Sequence, residues 1–166
     1  QNQQIAVIKS PYDDEIASWN SKLNQTYIPY GREGRIGQQR QAAEDSNSGV
    51  NLATRSNSKA SEYYSNDSWD LLDALETGKV KLEEISDDSL PEIMRGMTLT
   101  EKRAYVAGKK AEREAIKKTI RDLSQKRTAY IEQQRKASTN SADNTLDRVI
   151  IQSLGQQLAT KGFKLQ

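Results

Sequence analysis

Residues 98–136 constrain the fold most, because nearly forty positions pass without a proline and with a single glycine, Gly108. Thr98 and Glu101 stand at the spacing of a capping box, in which a hydroxyl and a carboxylate satisfy free backbone N–H groups at the start of a helix. A helix of this length, rising about 1.5 Å per residue, reaches roughly 55 to 60 Å. We therefore expect the shorter segments of the chain to pack along this helix.

One side of the predicted helix combines apolar and basic residues at alternating spacings of three and four. This seam is Val106, Lys109, Arg113, Ile116, Ile120, Leu123, Arg127 and Tyr130. Basic residues at three seam positions disfavour a long two-stranded coiled coil. A second row is small enough to let another helix approach closely, and consists of Ala104, Ala107, Ala111 and Ala115. We predict a mainly α, elongated domain in which shorter helices pack along one long helix, with little or no sheet.

Composition restricts the chemistry that is open to this chain. Its 166 residues are 34% hydrophobic and 29% charged, with a mean hydropathy of −0.88, which predicts a small core. The absence of cysteine excludes disulfides and thiolate sites, and the absence of histidine removes the commonest general base and transition-metal ligand. No apolar run approaches the roughly 20 residues of a membrane span, and no phosphate-loop or hydrolase motif occurs. We predict a protein that is not an enzyme and that binds no cofactor or metal.

The first 60 residues are interpreted as two segments. Residues 1–45 contain a short β-favouring run at 5–8 and then a helix that Ser10 and Pro11 begin, and they would continue an upstream domain. Residues 46–60 are rich in serine and asparagine and are predicted to be a linker. A mobile loop is the favoured interpretation of this linker, and a ligand-binding loop is the alternative.

Residues 61–166 are predicted to be a helical domain. A short helix begins at Ser68, whose hydroxyl can accept a hydrogen bond from an early backbone N–H, and the long helix follows at 98–136. A polar connection at 138–143 has the length that joins antiparallel helices. The last helix is predicted at 145–161, with one face made of Leu146, Val149, Ile150, Leu154 and Leu158.

Six aromatic residues are the best candidates for contacts with a partner, because aromatic side chains supply much of the binding energy at many interfaces. For each of them, a place in the small core is nevertheless the favoured interpretation. The six residues are Trp19, Tyr27, Tyr30, Trp69, Tyr105 and Tyr130.

Asp67, Asp70 and Asp73 recur at every third position and could attract calcium. Calcium sites of the EF-hand type also need backbone carbonyl ligands from a loop, which this stretch does not offer. We therefore interpret the three aspartates as the solvent-exposed side of the helix that begins at Ser68, and we predict no metal ligands.

Charge is divided between two neighbouring segments. Residues 98–137 carry twelve basic and five acidic residues, whereas residues 59–97 carry four basic and ten acidic ones. A basic helix could follow the phosphates of a nucleic acid, and nucleic-acid binding is the alternative function. The basic residues surround the helix instead of lining one side, and no row of aromatic residues accompanies them. We favour a solvated helix that the acidic segment partly neutralises.

Three parts of the chain resemble a known family. They are IAVIKSPYDDEI at 5–16 with LNQTYIPYG at 23–31, then SWDLLDAL at 68–75 with LPEIMRGMT at 90–98 and KRAYV at 102–106, and finally the stretch from Leu146-Asp147 to Lys161-Gly162-Phe163. These segments are similar to the C-terminal region that follows the von Willebrand factor A domain in a group of bacterial proteins. The resemblance covers most of the chain, and its motifs are structural and not chemical.

The resemblance implies a helical extension of a von Willebrand factor A protein, exported to the bacterial cell envelope as a periplasmic or secreted protein. It implies an interaction or scaffold module that mediates protein–protein binding or assembly. The partner would be another protein, a second copy of the chain, or the von Willebrand factor A domain of the same parent protein. The adhesion-site motif of the family, D-x-S-x-S or D-x-T-x-S, is not carried over, because the nearest run, Asp45-Ser46-Asn47-Ser48-Gly49, departs from it.

Overall fold

The computed structural model describes residues 8–160, except for the side chains of 142–144, 147–148, 151–152 and 155–160. The α-helices in this part of the chain are α1, Asp13–Asn24; α2, Gly31–Asn47; α3, Leu52–Lys59; α4, Leu71–Glu76; and α5, Leu99–Thr160. Short 3-10 helices lie at Gly49–Asn51, Leu82–Glu84, Asp87–Ser89 and Glu92–Met94. Between residues 8 and 160 there is no β-strand, and Pro29 and Asp70 form an isolated bridge. The prediction of a mainly α fold built on one long helix is confirmed.

The chain divides into two compact units, Gln1–Arg127 and Thr128–Gln166. In the first unit, the predicted seam of α5 is the buried side of that helix. Ile116 and Ile120 share a cluster with Trp69, and Leu123 shares another with Ile16 of α1. Val106 of the seam and its neighbour Tyr105 pack against a third cluster, whose buried members are Ile28, Leu71, Leu72, Leu82, Leu90 and Met94. The shorter helices therefore pack against the long one, as the seam predicted.

Local sequence explains where α4 and α5 begin. The carboxylate of Asp70 accepts a hydrogen bond from the backbone N–H of Asp73 (3.0 Å), which satisfies a free donor in the first turn of α4. Asp70 is therefore the cap of α4, and Ser68, which was predicted to cap this helix, lies two positions before it. At the start of α5, Thr98 Oγ1 accepts a hydrogen bond from the backbone N–H of Glu101 (3.2 Å). This bond is the hydroxyl half of the predicted capping box.

Residues 46–60 are not a linker, and the prediction for this segment was wrong. They include the 3-10 helix Gly49–Asn51 and α3, in which Ala53, Ser56 and Lys59 are buried. The hydroxyl of Ser56 donates to the carbonyl oxygen of Leu52 (2.7 Å), so this polar group is satisfied inside the fold. A composition rich in serine and asparagine did not mean solvent exposure here, because the polar groups find partners within the protein.

The long helix does not end at 136, and the prediction of a connection at 138–143 was also wrong. α5 is continuous from Leu99 to Thr160, so the separate helix predicted at 145–161 is the C-terminal part of α5. Residues 138–143 contain neither glycine nor proline. Hydroxyl groups nearby can bond within the helix, as Thr145 Oγ1 does with the carbonyl oxygen of Ser141 (2.9 Å). Position 161, the last residue of the predicted helix, and residues 5–7 of the predicted β-favouring run lie outside the described residues.

Candidate functional site

The six aromatic residues considered as partner contacts differ in how accessible they are. Tyr27 and Trp69 are buried, with ring centroids 5.4 Å apart, so they belong to the core. The remaining four are partly buried and keep some accessible surface; they are Trp19, Tyr30, Tyr105 and Tyr130. Two of the six candidates are thus unavailable to a partner in this structure.

The guanidinium of Arg113 is the centre of a buried polar cluster, and the residue is only 3% exposed. Its Nη1 donates to Asp70 Oδ2 (2.8 Å) and to Asp73 Oδ1 (3.2 Å), and its Nη2 donates to Asp70 Oδ1 (3.0 Å). Nε and Nη2 also donate to Oγ1 (3.0 Å) and to the carbonyl oxygen (2.9 Å) of Thr26. Arg113 and Asp70 therefore form a bidentate ion pair, which is the strongest geometry for this kind of contact.

This cluster corrects the interpretation of the aspartates as a solvent-exposed side, since Asp70 and Asp73 are buried. Burial raises the pKa of Asp73, and the neighbouring Asp70 carboxylate raises it further. Burial alone would lower the pKa of Arg113, but the hydrogen bond to Asp70 and the charges of Asp70 and Asp73 together outweigh burial and raise this pKa, so the guanidinium stays charged. Asp67, by contrast, is partly exposed, with Oδ1 3.7 Å from Lys79 Nζ. Two of the three regularly spaced aspartates, Asp70 and Asp73, therefore bind Arg113.

A second buried cluster surrounds Lys59, whose side chain is fully buried. Its Nζ donates to Asp45 Oδ2 (2.8 Å), Asn20 Oδ1 (2.9 Å) and Asn24 Oδ1 (2.6 Å). The same Asp45 oxygen accepts from Asn20 Nδ2 (2.9 Å) and Asn24 Nδ2 (2.7 Å), while Asp45 Oδ1 accepts from Arg55 Nε (2.6 Å). All three donor positions of the ammonium are occupied, so the cluster is closed and links α1, α2 and α3.

The electrostatics of this second cluster match its geometry. Burial alone would raise the pKa of Asp45, but the hydrogen bonds from Asn24, Lys59, Asn20 and Arg55 lower it to about 2. Burial lowers the pKa of Lys59, and the bond to Asp45 opposes that change. Because each polar group is already engaged within the protein, both clusters have the character of structural ion pairs.

A polar cleft of about 340 Å³ lies beside the Lys59 cluster. Arg55 lines it, but Nε and Nη2 of this residue are taken by Asp45 and Glu44, at 2.6 and 2.7 Å. The hydroxyl of Tyr64 accepts a hydrogen bond from Gln41 Nε2 (3.2 Å). These polar side chains of the cleft are therefore already engaged within the protein.

The acidic segment at 59–97 neutralises part of the basic surface of α5, as the charge pattern predicted. The two carboxylates bound to Arg113 come from this segment. Three further ion pairs join α5 to the same segment, namely Lys102 Nζ with Asp87 Oδ1 (2.6 Å), Lys110 Nζ with Glu76 Oε1 (3.3 Å) and Arg103 Nη2 with Glu83 Oε2 (3.9 Å). The basic residues of α5 are thus not all available to phosphates.

The second unit carries exposed apolar side chains on one side of α5. Leu146, Val149, Ile150 and Leu154 are 59%, 56%, 48% and 53% exposed. At about 100° per residue they fall within an arc of roughly 140°, so they form one continuous surface, here called the 146–154 face. The sequence predicted this stripe, but on a separate helix joined antiparallel to the long one. The side chain of its last predicted member, Leu158, lies outside the described residues.

Neither a metal site nor a membrane span is found in the part of the chain that the structure describes. No group of three or more acidic side chains there could hold a metal ion. None of the helices there combines the length and the apolar character that a membrane span requires. Comparisons of the chain with protein-family models, with curated proteins and with solved structures find no match.

Proposed function

We propose that this chain is a non-enzymatic interaction module that binds a protein partner through the 146–154 face. The observation that carries the proposal is the exposure of four large apolar side chains on one side of a helix. Burying apolar surface contributes about 25 cal/mol per Å², so a partner that covers the face gains free energy. Contiguous exposed apolar patches on proteins often mark interaction sites.

The first unit supports a scaffold role because the charged groups of its two buried clusters are already paired within the protein. Arg113 donates its hydrogen bonds to Asp70, Asp73 and Thr26, and Lys59 donates to Asp45 and two asparagines. The seam of α5 is covered by apolar residues of the shorter helices. The interior of such a unit has a structural role, and a partner would bind to its surface.

The resemblance to the region after the von Willebrand factor A domain supports a particular setting for this function. In that setting the module extends a parent protein of the bacterial cell envelope, periplasmic or secreted, and takes part in its assembly. The partner is then another envelope protein, a second copy of the chain, or the adhesion-type domain of the parent. Contact through an apolar face needs no metal or cofactor in the module itself.

Nucleic-acid binding is the second candidate function, favoured by the net charge of +7 over residues 98–137. Phosphate contacts need accessible cations. Lys102, Lys110 and Arg113 are instead paired with carboxylates of the acidic segment. Protein binding is therefore the better-supported function.

Site-specific photocross-linking tests the proposal in cells that produce the chain within its parent protein. A benzophenone side chain replaces Ile150 in one variant and Ser141 in the matched control. Both positions are exposed in the same helix, and nine residues place them on opposite sides of it at about 100° per residue. We expect covalent protein adducts from position 150 and not from position 141. Equal yields at the two positions, or none at 150, would overturn the proposal.

A further inference from the structure

The large apolar residues around the 146–154 face are placed symmetrically about Ile150. Leu146 and Leu154 lie four positions to either side, and Val149 and Ile151 lie one position to either side. Exposure follows the same symmetry, with 59% at Leu146, 53% at Leu154 and 48% at Ile150 between them. A helix with this pattern presents nearly the same apolar surface when it is turned end to end.

We propose that the partner of the 146–154 face is a second copy of this chain, paired antiparallel about a two-fold axis at Ile150. This inference rests on the proposed function and names its partner. In the pair, Leu146 of each copy lies opposite Leu154 of the other, and Ile150 lies opposite its own counterpart. A two-fold contact uses the same patch on both copies, so it is self-complementary and closes at a dimer.

Acidic positions near the face favour the antiparallel register over the parallel one. In a parallel pair, Asp143 and Asp147 would each align with the same aspartate of the other copy. Like charges brought together between two chains oppose their association. In the antiparallel pair the same two positions align with Gln157 and Ser153, which are uncharged.

The stability of the helix supplies a physical reason for pairing. Most helices in proteins are stabilised by the packing of an apolar side and not by helix propensity alone. Within residues 132–154, every side chain that the structure describes is exposed. Pairing covers the 146–154 face of both copies at once and so stabilises this part of α5.

Disulfide cross-linking of the purified chain tests the register, and the absence of native cysteine makes each introduced thiol unique. On mild oxidation Ile150→Cys should form a covalent dimer, whereas the matched control Ser141→Cys should not. When a tagged Leu146→Cys chain is mixed with an untagged Leu154→Cys chain, the two should cross-link. Leu146→Cys alone should not form a covalent dimer. In the antiparallel pair the two 146 positions lie about 12 Å apart along the axis, beyond the roughly 7 Å between Cα atoms that a disulfide spans.

Several outcomes would overturn the inference. Cross-linking of Leu146→Cys with itself would show a parallel pair, and a failure of Ile150→Cys to cross-link would show no pairing at the axis. Analytical sedimentation gives a second measure. Leu154→Glu should weaken self-association at least about tenfold, because a carboxylate is costly in an apolar contact. An unchanged dimer would contradict the proposed contact. If photocross-linking at position 150 captures only a different protein, self-pairing fails while the proposed function stands.

Discussion

Lys59 and Arg113 carry positive charges into the interior of the first unit, and a carboxylate holds each one: Asp45 lies 2.8 Å from Lys59 Nζ, and Asp70 lies 2.8 Å from Arg113 Nη1. The desolvation of such pairs is costly, so they are not large sources of stability by themselves. The loss of one partner is different, because the other charge is then buried without compensation. These pairs therefore specify how the helices pack. The Lys59 pair joins α2 to α3, and the Arg113 pair joins the start of α4 to α5.

The Arg113 pair predicts unequal effects at two nearby aspartates. Asp70→Asn should destabilise the protein by about 3 to 5 kcal/mol, because it leaves a buried guanidinium without its main counter-charge. Asp67→Asn is the matched control: its partly exposed ion pair with Lys79 is worth at most about 1 kcal/mol. Urea unfolding of both variants measures the free energies. Similar, small losses at the two positions would contradict the structural role assigned to Arg113.

Acid should weaken the Lys59 cluster over a defined pH range. Burial alone would raise the pKa of Asp45, but its hydrogen bonds lower it from 3.8 to about 2. A carboxyl whose pKa is lower in the folded state stabilises the fold above its unfolded pKa, and this contribution disappears as the pH falls through the folded pKa. The stability difference between wild type and Asp45→Asn should therefore shrink by about 2 kcal/mol between about pH 4 and pH 2.

Urea unfolding at a series of pH values measures this difference. Asp88→Asn, at an exposed position, is the control and should follow the wild type throughout. A difference between wild type and Asp45→Asn that stays constant with pH would show that the Asp45 carboxylate does not contribute in this way.

The sequence predicted where Arg113 lies but not what it binds. Its seam position follows from helical periodicity, whereas its partner Asp70 is 43 positions away and no period connects the two. One signal was present: a basic residue on an otherwise apolar seam requires acidic partners, and Asp70 and Asp73 stand beside the apolar residues of α4. Lys59 gave no such signal, because the three residues before it, Ser56, Asn57 and Ser58, are polar and its acceptors belong to α1 and α2.

At the scale of elements, α5 shows which features follow from sequence. Ile116, Ile120 and Leu123 are buried as predicted, because helical periodicity fixes which residues share a side. The end of the helix was predicted too early, since serine, threonine and asparagine lower helix propensity by well under about 1 kcal/mol each and do not force a stop. A row of small residues in α5 was predicted to let another helix approach closely, but these residues are exposed. They are Ala104, Ala107, Ala111 and Ala115.

Two helical glycines should respond in opposite ways to alanine. At Gly108 of α5, nothing lies within 4 Å of the position that a Cβ would occupy. Gly108→Ala should therefore stabilise the protein by about 0.5 to 1 kcal/mol through helix propensity. At Gly37 of α2, a Cβ would lie 2.2 Å from Cγ of the buried Trp69, so Gly37→Ala should destabilise it by about 1 to 3 kcal/mol. Thermal unfolding beside the wild type checks both signs, and a change of the same sign at both positions would contradict this account.

At the scale of the whole molecule, the two units differ in where their apolar residues lie. The first unit packs the apolar residues of the seam in or against three buried clusters, whereas the 146–154 face of the second unit is exposed. The sequence predicted both apolar stripes, because periodicity identifies a surface that gains from burial. The prediction that shorter helices cover the seam is confirmed. The exposure of the 146–154 face was not predicted, since it depends on contacts between residues far apart in sequence.

The charge of the whole chain bears on the choice between the two candidate functions. With 25 basic and 23 acidic residues, the net charge is only +2. At about 0.15 M salt, exposed charges more than about 8 Å apart are largely screened from one another. Long-range attraction to a nucleic acid is therefore weak, and local phosphate contacts would have to supply most of the affinity.

We therefore expect the full chain to bind duplex or single-stranded nucleic acid no more tightly than the roughly 10⁻⁴ to 10⁻⁶ M of non-specific binding. The physical reason is that cations of α5 such as Lys102, whose Nζ lies 2.6 Å from Asp87, already have carboxylate partners. Fluorescence anisotropy with labelled oligonucleotides at several salt concentrations measures the affinity, and a scrambled oligonucleotide controls for sequence preference. Submicromolar binding that falls steeply with salt would show that phosphates displace these carboxylates, and it would favour nucleic-acid binding over the proposed protein interaction.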